Sequence, residues 1–187
     1  VEFHHHFGGA RLMSEGGVQR RLAAVLAIDI AGYTRLVESN RDGTVTAWKA
    51  SRTNVIDPAV SQHSGRIVKL TGDGCLAEFQ SAQDAVQCAL DMQAALAARP
   101  LDFRMGVGLG DIIDDGEDIH GEGVNIAARI EALAVPGGVW VAGMVHEAVH
   151  HQMDALFTDM GEHTVKNVTH PVRVYSVSTG EPSAEPD

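Results

Sequence analysis

The stretch RIVKLTGDGCLAEF (66–79) most narrows what this chain can fold into. Apolar and polar residues alternate on both sides of Gly72-Asp73-Gly74, the pattern of two strands joined by a tight turn. Helical spacing flanks the hairpin. Upstream, Val45, Trp48, Val55, Ile56 and Val60 recur at the helical period, with an interruption expected at Asp42-Gly43, a kink near Pro58 and a stop at Gly65. Downstream, residues 81–100 open with Ser81 and Asp84 in capping-box spacing, carry an apolar stripe (Val86, Ala89, Leu90, Leu96) and end at Pro100. A hairpin between two helices fits an α+β sandwich, a largely antiparallel sheet with helices on one side.

The rest of the chain extends that reading toward a ferredoxin-like sandwich. AAVLAIDI (23–30) is a continuous apolar run ending in an acid, as in a buried strand. FRMGVGLGDII (103–113) reads as a strand loosened by Gly106, Gly108 and Gly110, and the next helix carries Ile126, Ile130 and Leu133 on one stripe before stopping at Pro136-Gly137. VWVA (139–142) is a strand, residues 144–152 a short helix, and weaker strand signals follow near 157–160 and at 172–177. The predicted order is β-α-β-β-α-β-α-β-α-β-β.

The 187 residues suit one domain. We place it at residues 21–178, after an extension (1–20, with His4 to His6) read as upstream or added sequence, Met13 being the natural start. A polar, Pro-containing tail (179–187) leaves room for a further regulatory domain in the full-length protein. Lys plus Arg total 14 against 25 Asp plus Glu, a formal charge of −11, which argues against nucleic acid as the main partner. Cys75 and Cys88 form neither a disulfide framework nor a metal-ligand spacing, and the run around 22–28 is too short to span a bilayer. A cytoplasmic setting is the expectation.

Asp29 ends an apolar strand and Asp73 sits at the hairpin tip. In isolation the first is a cap and the second a turn residue. If the hairpin pairs beside the first strand, the two carboxylates meet, and like charges at one edge call for a cation between them. Oxygen ligands without His or Cys favour Mg²⁺ or Mn²⁺ over zinc. DIAGYT (29–34) then opens a turn or helix whose free N–H groups can receive phosphate oxygens.

Four stretches together, AIDIAGYT (27–34), SGRIVKLTGDGCLAEF (64–79), DIHGEGVNIAARIEALAVPGGV (118–139) and GEHTVKNVTHPVRVYSV (161–177), resemble the catalytic domain of bacterial class III adenylate/guanylate cyclases over about residues 21–178. The resemblance implies an adenylyl cyclase that makes 3′,5′-cyclic AMP and pyrophosphate from ATP by two-metal phosphoryl transfer, with two Mg²⁺ or Mn²⁺ ions. It implies that Asp29, Asp73 and the backbone of Ile30 hold metal, and that the backbone of Ile30, Ala31, Gly32 and Tyr33 meets the triphosphate. Lys69 and Asp118 stand where the family recognises the purine. An ammonium facing adenine N1 and a carboxylate accepting from the N6 amino group reject guanine, which presents the reverse pattern. Asn125 and Arg129, at i, i+4 on one helix face, correspond to the ribose- and phosphate-orienting pair, and Lys166 to a lysine reaching the terminal phosphates. In the family the two metal aspartates come from one subunit and the base-recognition and helix residues from the other. This chain carries both sets, which implies a head-to-tail homodimer with two complete sites. Asp111 replaces an arginine found in many animal-type members, and the arm between Ile113 and Asp118 is short. The competing implications are a guanylyl or relaxed-specificity cyclase and a catalytically silent nucleotide-binding or regulatory domain.

HEAVH (His146 to His150) also fits the H-E-x-x-H zinc-helix signature. It lacks a recognisable third-ligand motif downstream and falls where the cyclase pattern has a peripheral helix, so we read it as coincidence.

Overall fold

The computed structural model describes residues 17–180. The expected N-terminal extension lies outside the described residues as far as residue 16, and the expected tail from residue 181.

The first strand, β1 (Gln19–Ile30), is buried without a break from Ala23 to Ile28. It starts inside the stretch read as extension, since Gln19 and Arg20 already pair with Asp114 and Ile113. Then come α1 (Tyr33–Ser51), a π turn (Arg52–Ile56), α2 (Asp57–Gln62), β2 (Arg66–Leu70) and β3 (Gly74–Phe79). The remainder is α3 (Ala82–Leu96), β4 (Phe103–Asp114), β5 (Ile119–His120), α4 (Glu122–Leu133), β6 (Val139–Ala142), α5 (Gly143–Val149), β7 (Leu156–His163) and β8 (Val172–Ser178). The order read from the sequence is present, with the two-residue β5 and the π turn added.

Local chemistry explains the breaks. The interruption near Gly43 is centred on Asn40 (φ −158°, ψ 86°), whose Oδ1 accepts from Gly43 N–H at 3.0 Å. Pro58 cannot donate to the carbonyl four residues back, and its ring would crowd that carbonyl. The wider π turn just before it relieves the conflict. Ser81 caps α3 by accepting from Asp84 N–H at 3.3 Å.

The strands form one sheet in the order β2-β3-β1-β4-β6-β8-β7, with β5 on the far end of β4. Its first four strands are antiparallel neighbours in ferredoxin-like order, and only β4 and β6 run parallel. Alternation along β1 separates two faces. Leu26, Ile28 and Ile30 pack in the larger core with Val86, Ala89 and Met92 of α3. Ala23, Val25 and Ala27 pack instead with Ala127 of α4 and Ile112. Fully burying a side chain such as Leu26 contributes on the order of 1.5–3 kcal/mol.

The α+β class and largely antiparallel sheet are as expected, and α4 adds a helix on the opposite face from α3. Period-two glycines in β4 make this possible. They face α4 so closely that a Cβ on Gly106 would overlap the backbone of Glu131, one on Gly108 would lie 2.8 Å from Ala127 N, and one on Gly110 3.0 Å from Gly123 N. The residues read as loosening the strand are the seat of a helix.

Candidate active site

Two strand ends bring the acids together. Asp29 is in register with Gly74, and Ile30 N–H donates to the Asp73 carbonyl at 2.9 Å, which pins the hairpin tip beside the end of β1. Gly74 serves this contact through its missing side chain, because a Cβ there would overlap the Ile28 carbonyl. Burial, and next the neighbouring Asp29 carboxylate, push the Asp73 carboxyl above its usual range.

Two further charged residues complete the group. Arg104 of β4 donates from Nη2 to Asp29 Oδ2 at 2.9 Å, and its Nε lies 3.4 Å from Glu131 Oε1 on α4. Burial, with Asp29 as the next cause, pushes Glu131 up to about 8. Among the described residues four buried side-chain polar atoms lack a hydrogen-bond partner, and three of them are here: Asp29 Oδ1, Arg104 Nε and Glu131 Oε1. A cleft of about 340 Å³ opens onto this group between the hairpin and α4, lined by Asp29, Asp73, Lys69, Thr71, Ala128 and Glu131.

The residues fit a hard divalent cation. Asp29 Oδ1 is an unpartnered anionic oxygen beside a second carboxylate that burial and repulsion drive toward protonation. Among the described residues no set of three His, Cys, Asp or Glu side chains converges as a metal cage. One or two carboxylates, completed by substrate phosphates, is the way Mg²⁺ is commonly held. Cys75 also borders the cleft, where burial pushes its thiol up to about 12.

The segment after Asp29 corrects one expectation. The N–H groups of Ile30 and Ala31 are not free for phosphate: they donate to the carbonyls of Asp73 and Asp102 at 2.9 and 2.8 Å. The donors left are Gly32 and the first turn of α1 from Tyr33. Gly32 opens that helix in the left-handed region (φ 68°), a conformation glycine adopts without steric cost.

Lys69 and Asp118 come together, with Nζ 2.6 Å from Oδ2. This bond, the first cause, holds the Asp118 carboxyl below its usual range. Asn125 is half-buried and Arg129 exposed on α4, and within one chain neither lines the cleft, which α4 meets through Ala128 and Glu131. Lys166 is exposed in the β7–β8 connection, outside the cleft-lining set, and Asp111 is exposed on β4.

The HEAVH histidines are stacked rather than splayed around a metal. The His146 ring lies between those of His150 (4.6 Å) and Tyr175 (4.0 Å), and His150 Nδ1 is 2.8 Å from the His146 carbonyl. Burial leads the causes that lower the His146 pKa.

Sequence reasoning missed Arg104 and Glu131. The signals were a lone cation inside an apolar strand and an acid two residues after Arg129, one position from the buried Ile130.

A cleft with paired carboxylates at the end of a ferredoxin-like β1 and a Lys–Asp pair at its rim defines the class. Residues 19–179 match the family described as the adenylate and guanylate cyclase catalytic domain. The chain belongs to that family. It is 46% identical over 182 residues to "Putative adenylate cyclase 3" of Rhizobium meliloti (strain 1021), covering 93% of this chain and 31% of that protein. The chain thus spans about a third of that relative's length. Among solved structures, the adenylate/guanylate cyclase/hydrolase from Silicibacter pomeroyi superposes with a TM-score of 0.80 at 43% identity, over 86% of this chain and 98% of that one. The adenylyl cyclase CyaB from P. aeruginosa (TM-score 0.77, 23% identity, 88% of this chain and 97% of that one) and the guanylyl cyclase Cya2 (0.75, 24%, 90% and 98%) share the fold. Among the described residues no helix is long and apolar enough to cross a membrane.

Proposed function

We propose that this domain is an adenylyl cyclase, converting ATP to 3′,5′-cyclic AMP and pyrophosphate at a head-to-tail homodimer. The observation that carries this reading is the meeting of Asp29 and Asp73 at one cleft; the bonded Lys69–Asp118 pair would recognise the base in the site of a second copy. Family membership supports the cyclase chemistry, and the 46%-identical relative named for adenylate supports ATP.

Asp29, Asp73 and the Ile30 main-chain carbonyl would hold the divalent ions, whose bound charge supplies Lewis-acid activation of the ribose 3′-hydroxyl and neutralises the triphosphate. The chain's own groups do the rest. Lys69 donates to adenine N1 and Asp118 accepts from its N6 amino group, so the two exchange their mutual bond for the base. Gly32 and Tyr33 offer main-chain N–H donors to phosphate oxygens. Asn125 and Arg129, with Lys166, orient the ribose and offset charge on the phosphates. As the bond from O3′ to the α-phosphorus forms, the hydroxyl proton passes to solvent without a side-chain base, the bond to the bridging oxygen breaks and pyrophosphate leaves. Asn125 and Arg129, which lie outside the cleft of their own chain, would serve the site of a second copy together with Lys69 and Asp118.

The test is cyclic nucleotide formation from ATP and from GTP with Mn²⁺, measured across protein concentrations. Cyclic AMP formation whose specific rate rises with concentration supports the reading. A preference for GTP overturns the base assignment, and binding of ATP without product at high concentration favours a silent domain.

A further inference from the structure

Asp29, Arg104 and Glu131 each leave a buried side-chain polar atom unsatisfied, and among the described residues only Ser51 Oγ does so elsewhere. Such an arrangement is costly unless its geometry serves a ligand. Asp29 uses only one oxygen within the chain: Oδ2 accepts from Arg104, while Oδ1 is buried without a partner. Arg104 stands on β4 directly opposite Asp29 in the strand register, so its guanidinium reaches the carboxylate across a fixed backbone pairing. Its other side meets Glu131, whose side chain is only 12% exposed and comes from α4. Since α4 rests backbone against backbone on the β4 glycines, Glu131 is located as firmly as Arg104 itself.

From this geometry we infer that Arg104 is a positioning residue for the metal-binding carboxylate, and that Glu131 holds Arg104 in that role. Arg104 fixes the Asp29 carboxylate through Oδ2, which leaves Oδ1 without a partner inside the chain. Glu131, with Oε1 3.4 Å from Arg104 Nε, backs the guanidinium from α4. The inference rests on the metal-site reading above. A hydrogen-bonded partner behind a ligating carboxylate commonly matters to metal affinity or activity by 10–100-fold.

Mn²⁺ binding to the full chain, followed by electron paramagnetic resonance with a non-cyclisable ATP analogue present, tests it apart from turnover. Arg104→Gln is expected to weaken Mn²⁺ binding at least about 10-fold, with Arg104→Lys intermediate because a single ammonium keeps the charge and loses the fork. Glu131→Gln is expected to weaken Mn²⁺ binding by a smaller factor. In steady-state assays the loss should appear in kcat and in the Mn²⁺ concentration for half-maximal rate, with the KM for ATP little changed. If Arg104→Gln does not fold, the Lys and Glu131→Gln variants carry the comparison. Variants that lose thermal stability yet bind Mn²⁺ as the parent does would show a merely structural role and overturn the inference. A parent protein that binds no Mn²⁺ would overturn the metal-site reading itself, and this inference with it.

Discussion

Lys69 Nζ and Asp118 Oδ2 are 2.6 Å apart, so the ammonium on β2 and the carboxylate just before β5 satisfy each other before any base is present. Lys69 is 44% exposed on its side chain, so the bond itself adds little stability. Lys69→Ala and Asp118→Ala should therefore leave the melting temperature nearly unchanged. Each should lower kcat/KM for ATP by about 100-fold while affecting GTP less, since an unpaired polar group at the base site is what discriminates. Cyclic AMP and cyclic GMP yields from the same preparations check this, and equal losses for both nucleotides would remove these residues from base recognition.

Gly106 tests the seat of α4. A methyl there meets the main chain of Glu131 and lies 2.6 Å from the Ala127 carbonyl, so either the helix or the strand must move. Gly106→Ala should destabilise by about 1–3 kcal/mol, the usual cost of overpacking. Urea unfolding measures the loss. Activity should fall further than stability, because the displaced helix carries Asn125, Arg129 and Glu131. Full activity in the surviving folded fraction would mean that the site tolerates movement of α4.

Arg129 is exposed, and substituting it should cost little folding free energy, within about 0.5 kcal/mol. Arg129→Ala should nonetheless lower kcat by about 10²–10³-fold, as removal of a group that stabilises transition-state charge does. Mixing it with Asp73→Ala gives a sharper readout. If the two halves of each site come from different copies, the mixture regains activity that neither variant has alone. No recovery in a verified mixed dimer would place both residues in one chain's site.

His146 provides a pH signature away from the cleft. Its folded-state pKa is lowered, so the unfolded chain binds the proton more readily. The contribution to stability is then complete above the unfolded value, about 6.5, and is lost as pH falls from there toward the folded pKa. His146→Phe keeps a ring between His150 and Tyr175 without the proton. Melting temperatures taken between pH 7.5 and 5 should fall less steeply for the variant, and parallel slopes would rule this histidine out as the cause.

The hairpin and the order of the elements were legible because each follows from short-range pattern, alternation and a turn tripeptide, whereas the meeting of Asp29 with Asp73 was conditional on the hairpin pairing beside β1. What escaped depends on three-dimensional adjacency. The glycines at 106, 108 and 110 repeat with period two, so all three bare one face of β4, yet only the packed helix shows why. Arg104 and Glu131 lie 27 positions apart and have no local reason to meet. The N–H groups of Ile30 and Ala31 looked available because hydrogen bonds to Asp73 and Asp102 belong to neighbouring strands, invisible along the chain.

The bare face of β4 has a further consequence. Side chains usually separate a helix from a sheet, and each can hop among rotamers, so the gap between them breathes with temperature. Here main chain meets main chain, and van der Waals contact between the two backbones sets the spacing. Warming should thus loosen the α3 side of the core well before it shifts Asn125 or Arg129. The half-site on α4 is expected to hold its shape until the domain melts as a whole.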